Sequence, residues 1–135
     1  MPQSVIIDSS ALVALLDPRD QHHLWARAAV ADLPLPWLTC EAVVVEVFFL
    51  LARPEASRLT RMLDDGRLRV AYGVRDEGKP VFDLMAKYAD VPMSLADACL
   101  VRMSETLPDP VMLTTDADFK IYRRRSRQVV PCLLP

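Results

Sequence analysis

A chain of 135 residues, 52% hydrophobic and 25% charged, is long enough to bury one core without disulfides, and a single domain over residues 1–135 is expected. That composition excludes a disordered or low-complexity protein, and a formal net charge of −2 excludes a generally basic, nucleic-acid-coating surface, though not an enzyme that meets phosphates through bound cations. Membrane spans are excluded as well, since the longest apolar run, Ala42 to Ala52, is interrupted by Glu46 and falls short of the roughly 20 residues a bilayer requires.

The chain begins Met1-Pro2-Gln3-Ser4 and meets only three apolar residues before Asp8, without the charged and long apolar regions of a signal peptide, so a cytoplasmic location is expected. Val5-Ile6-Ile7 predicts a short strand, and the spacing of Leu12, Leu15 and Leu16 predicts a helix directly after Asp8. Asp17-Pro18-Arg19-Asp20 breaks that helix. Leu24, Trp25, Ala28, Ala29 and Leu33 mark one face of a second, which Pro34 and Pro36 close. His22 and His23, ahead of it, read as surface residues. Leu35 to Leu38 is a short second strand, and Thr39 is placed to cap a helix from Cys40 to about Ala52, which Pro54 ends or restarts.

A further helix is expected over about 55–63, then a turn at Asp64-Asp65-Gly66 and a third strand over Leu68 to Tyr72. Val81, Leu84, Met85 and Tyr88 form an amphipathic stripe that Val91-Pro92 stops, and Ser94 opens another helix toward Leu107. Val111-Met112-Leu113 gives a fourth strand, Asp116 to Arg125 a turn leading into a helix, and Val129-Val130-Pro131 the start of an edge strand. Strands alternating with helices define the fold class: α/β, with a parallel central sheet flanked by helices on both faces. Ligands of such sheets gather beyond the carboxyl ends of the strands. Asp8 and Asp116, each just past a strand, point to the same rim.

Cysteine usage adds little. Cys40, Cys99 and Cys132 are odd in number and widely spaced, which suggests neither a disulfide framework nor a zinc motif, and buried free thiols are expected.

The acidic residues carry the chemistry. Glu46 sits in the apolar segment Ala42 to Leu51 and is expected to be largely buried, where an ionised carboxylate needs a cation, a donor or a raised pKa. Glu41 instead suits the helix N-terminus and, five residues away, turns from Glu46. Each acid also has an innocent reading: an arginine ion pair for Glu46, a variant capping box with Ser94 for Asp97, and helix caps for Asp8, Asp116 and Asp118. Those readings do not explain why the acids fall together where this fold places ligands. Converging carboxylates raise one another's pKa unless a divalent cation neutralises them, and oxygen-only ligands suit Mg²⁺ or Mn²⁺ rather than zinc. Lys120, Arg123, Arg124, Arg125 and Arg127 crowd the stretch just after Asp116 and Asp118, which by itself reads as a solvated helix face.

Val5-Ile6-Ile7-Asp8-Ser9-Ser10-Ala11-Leu12, Glu46 in its apolar helix, Ser94-Leu95-Ala96-Asp97-Ala98 and Thr114-Thr115-Asp116-Ala117-Asp118-Phe119 occur in the order of a PIN domain, and the chain resembles a VapC-like toxin over essentially its whole length. The resemblance implies hydrolysis of RNA phosphodiesters at a Mg²⁺ or Mn²⁺ site built from Asp8, Glu46, Asp97 and Asp116, with Asp118 as a further acid. Glu46 would bind through water or orient the attacking water. It implies supporting roles for Ser10 beside the first acid and Thr114 before the last, RNA contact for the Lys120–Arg127 cluster, a homodimer, and a cognate antitoxin protein laid over the acidic pocket. Three other readings compete. An inactive PIN-like domain would bind RNA or protein without cutting; a receiver-like phosphoacceptor needs paired acids after the first strand, where Ser9 stands, and a late lysine; a DNA or flap nuclease usually carries extra helices that 135 residues leave little room for.

Overall fold

The structure, a computed structural model, describes residues 1–135. In chain order the elements are β1 (Ser4–Ile7), α1 (Ser9–Leu16), α2 (His23–Val30), β2 (Trp37–Cys40), α3 (Glu41–Leu50), α4 (Arg53–Asp64), β3 (Leu68–Tyr72), α5 (Lys79–Lys87), α6 (Leu95–Thr106), β4 (Pro110–Leu113), a 3₁₀ turn (Ala117–Lys120), β5 (Arg123–Arg124), β6 (Gln128–Val129) and β7 (Cys132–Leu133). Five strands form one parallel sheet in the order β3-β2-β1-β4-β7, while β5 and β6 make a separate antiparallel hairpin.

β1 is central and every one of its residues is buried, which is why it reads as an unbroken apolar run rather than an alternation. From β1 the chain steps outward through β2 to β3, then returns across the sheet to β4 on the other side of β1. That reversal puts the switch point, where open α/β sheets bind ligands, between β1 and β4, and right-handed crossovers carry α5 and α6 to the face opposite α1–α4. A core of 24 buried residues, including Ile6, Leu12, Leu100, Met112 and Phe119, joins the sheet to both layers.

Several expectations meet the structure closely: β3 spans 68–72, a new helix, α4, starts at Arg53 with Pro54 in its first turn, and the Asp64-Asp65-Gly66 turn places Gly66 at φ +80°. Others do not. Thr39 does not cap α3: it is the third residue of β2 and its hydroxyl donates to the Ile7 carbonyl at 2.9 Å, while Cys40, at the cap position, makes no side-chain cap bond. Pairing of Cys40 with Tyr72 extends the strand to the first residue of the helix and overrides the local cap. The stretch after Asp116 is a single 3₁₀ turn and a short hairpin, not a helix, and the edge strand begins at Cys132 because Val129 is taken by the hairpin. His22 and His23 are half-buried rather than on the open surface; His23 Nδ1 lies 2.7 Å from the Ala14 carbonyl and ties α2 to α1. The three cysteines are free, with Cys40 and Cys99 buried and Cys132 half-buried.

Candidate active site

Asp8 directly succeeds β1 and is 4% exposed. Its Oδ1 accepts from the Ser9 amide at 2.7 Å and so caps α1, while Oδ2 accepts from the Thr114 hydroxyl at 2.8 Å and the Ser10 hydroxyl at 3.4 Å. Ser10 and Thr114 in turn hold the loop after β4: the Thr115 amide donates to Ser10 Oγ and the Asp116 amide to Thr114 Oγ1, each at 3.0 Å. One short network thus ties the ends of the two strands that flank the switch point, and it brings Asp116 to the Asp8 side of the rim.

Asp97 is supplied by the first turn of α6. Ser94 and Asp97 form the expected capping box, yet Asp97 Oδ2 also accepts from the Tyr122 hydroxyl at 2.9 Å. The Tyr122 ring is fully buried against Phe119 and Tyr88. Asp116 Oδ1 accepts from the Asp118 amide at 2.9 Å and caps the 3₁₀ turn. Glu46 is half-buried, less enclosed than its apolar sequence suggested, because α3 buries Val43 and Val47 and leaves Glu46 at the border of that stripe. It has no hydrogen-bond or ion-pair partner, so the arginine pair that would explain it innocently does not form. Glu41, at the exposed start of α3, stays apart from it.

The acids act on one another. Burial is the main cause that lifts the Asp8 pKa to about 6, opposed by the Thr114 and Ser9 hydrogen bonds and assisted by the charges of Asp97 and Glu46. Burial, partly offset by the Tyr122 bond, also raises Asp97, with the Asp116 charge adding to it. Tyr122 is raised by burial, then by the charge of Asp97, with Asp118 and Asp116 contributing. Asp8, Glu46, Asp97 and Asp116 are therefore linked electrostatically, while Asp118 acts on Tyr122. None of them takes part in any of the five ion pairs of the molecule. As the side chains stand, no three Asp, Glu, His or Cys residues come together in a group that could hold a metal ion; Asp97 and Asp116 each spend an oxygen on a cap. The donor chemistry nonetheless fits a hard cation: oxygens only, with no lysine or arginine paired to them.

The basic cluster is more structural than its sequence suggested. The Arg123 guanidinium donates to the carbonyls of Lys120, Ile121 and Tyr122, closing the 3₁₀ turn. Arg124 donates to the Ser104 carbonyl, and Arg125 donates from its amide to the Glu105 carboxylate and from its side chain to the Glu105 carbonyl, docking the hairpin on the end of α6. Lys120 and Arg127 remain exposed and make no such bonds. Sequence reasoning missed Tyr122; the apolar spacing of Phe119 and Tyr122 within a cationic stretch was the signal for a buried aromatic there.

An acid rim at the switch point of a parallel α/β sheet, without compensating cations, lies where such sheets bind their ligands. The PIN-domain family pattern matches residues 5–125 of this chain, which spans β1 through the hairpin turn, and the chain belongs to the PIN-domain family. PIN domains are in general nucleases and typically work with divalent metal ions. No curated protein matches the chain. No helix is long and apolar enough to cross a membrane.

Proposed function

We propose that this protein is a Mg²⁺- or Mn²⁺-dependent endoribonuclease that hydrolyses RNA phosphodiester bonds as the cytoplasmic toxin of a toxin–antitoxin pair. The observation that carries the reading is a buried Asp8 at the end of β1 whose oxygens meet only an amide and hydroxyls, unpaired with any base, with the charges of Asp97 and Glu46 acting on it. Such a site favours binding of a cation, which removes the repulsion.

Asp8, Asp97 and Asp116 would hold the metal, with Glu46 and Asp118 completing the acidic shell. A divalent cation held there supplies charge for the phosphate and acidifies an attacking water. The protein's own part is orientation. Ser9, Ser10 and Thr114 fix both oxygens of Asp8, Tyr122 and Ser94 fix one oxygen of Asp97, and the unpartnered Glu46 carboxylate is free to orient water. Lys120 and Arg127, unused by the fold, are the members of the cluster available to RNA phosphates. A protein partner, antitoxin or second copy, is supported by the outer side of α3, where Phe49 is 89% exposed beside Phe48 and Leu50.

One observation favours an inactive PIN-like domain that binds RNA or protein: no ready group of three ligands is formed. Thermal unfolding separates the two readings. Millimolar Mn²⁺ should raise the Tm of the wild type and leave Asp8→Asn unmoved; equal responses in both would remove the metal site and leave the binding module.

A further inference from the structure

A cavity of about 390 Å³ opens on the same rim, over the ends of β2 and β3, and none of the five acids lines it. Its volume lies in the range of small-molecule sites, about 300–1,000 Å³. The lining is mostly apolar: Val45 from α3, Leu95 from α6, Tyr72 at the end of β3, and the buried Cys40 and Cys99. Glu41 and Arg75 stand at its border and continue into a second, polar cavity of about 360 Å³ along β3.

The pocket's position relative to the acids is fixed by strand register. Val5 and Ile6 pair with Trp37 and Leu38, so Asp8 is level with Cys40 on the neighbouring strand, about 4.8 Å away across the sheet. On α6, Leu95 and Cys99 share one side while Asp97, two residues from each, faces the other, so a single helix start divides pocket from acid site. The Tyr72 ring is pre-set: its hydroxyl donates to the Glu77 carbonyl, and the Glu77 carboxylate is gripped by Arg102 of α6.

We propose that this pocket takes an unstacked nucleobase of a single-stranded RNA whose adjacent phosphate lies at the acid rim. The inference rests on the proposed nuclease activity and adds to it where sequence preference comes from. Single-stranded RNA is read by splaying a base out, laying it on an aromatic or guanidinium face and hydrogen-bonding its edge. Here Tyr72 supplies the ring, Val45, Leu95 and the two cysteines supply apolar, polarisable contact, and Glu41 and Arg75, shared with the polar cavity, supply one acceptor and one set of donors. An apolar peptide side chain would fill the walls but leave that charged pair unused.

The test uses the full chain and an RNA that it cuts, with a single abasic ribose placed at successive positions around the cut. Val45 is 66% exposed, so Val45→Trp fills the pocket from α3, one turn from Phe49 on the same side of that helix, and Leu95→Trp fills it independently from α6, away from that face. In the wild type, one lesion position next to the cut should lower kcat/KM about tenfold. Each tryptophan variant should cut intact RNA at that lowered level and be indifferent to that lesion while still responding to others. Variants that keep the wild-type lesion profile would overturn the pocket, as would a loss spread evenly over all positions. Filled variants that cut RNA normally but release a co-purifying protein would assign the pocket to a protein and overturn it too. If the wild type cuts no RNA at all, or Asp8→Asn cuts as well as the wild type, the nuclease reading has failed separately; binding of the same RNA series by anisotropy then decides, and equal affinity of wild type and Val45→Trp overturns the pocket.

Discussion

A carboxylate that is 4% exposed and held by three hydroxyls and an amide ionises against its surroundings. The folded-state pKa of Asp8, about 6, lies above the ordinary 3.8, so the folded protein holds that proton more tightly than the unfolded chain. The resulting stability is fully present below pH 3.8 and is lost as the pH rises to about 6. In EDTA, the wild type should lose on the order of 3 kcal/mol relative to Asp8→Asn between pH 4 and pH 7. Urea unfolding of both proteins at the two pH values measures this, and parallel stabilities would show that burial does not destabilise the Asp8 carboxylate. Tyr122 offers a second check at this scale. Tyr122→Phe removes the hydroxyl that positions Asp97 and keeps the packed ring; RNA cleavage should fall about tenfold while stability changes by about 1 kcal/mol. An unchanged rate would make that bond purely structural.

At the scale of elements, local signals were legible where local forces decide. The β-branched run of β1, the Gly66 turn and the Ser94–Asp97 capping box are each dictated by neighbouring residues, and the structure keeps all three. The segment after Asp116 was not legible, because distant contacts set its conformation. The hairpin needs positive φ at Arg125 and Ser126, 49° and 70°, which neither residue type announces. It is held by carbonyls and a carboxylate at the end of α6, twenty residues earlier. The arginine cluster thereby divides. Arg124→Ala should lower stability by about 1–2 kcal/mol, since it frees a buried carbonyl. Lys120→Ala with Arg127→Ala should leave stability unchanged, weaken RNA binding and flatten its salt dependence by about two ions. A stability loss in the double variant, or none for Arg124→Ala, would reverse the division.

For the whole molecule, the sequence order of strands and helices was enough to read the fold class, and it put Asp8 and Asp116 just past the ends of β1 and β4, where the structure has them. The family resemblance marked Ser10 and Thr114 as supporting residues, but not that Thr114 donates to Asp8 across the sheet or that Tyr122 reaches Asp97, because those contacts form only once β1, β4 and α6 are adjacent. The topology sets Asp8 beside the Thr114–Asp116 loop: the chain reverses between β1 and β4, which pair side by side. The most direct test is cleavage of a mixed structured-RNA pool by purified, partner-free protein with Mg²⁺ or Mn²⁺, with EDTA, and with Asp8→Asn. Cutting that needs metal and disappears in Asp8→Asn is the predicted result; a well-folded protein that cuts nothing, or cuts equally well in EDTA or without Asp8, would contradict it.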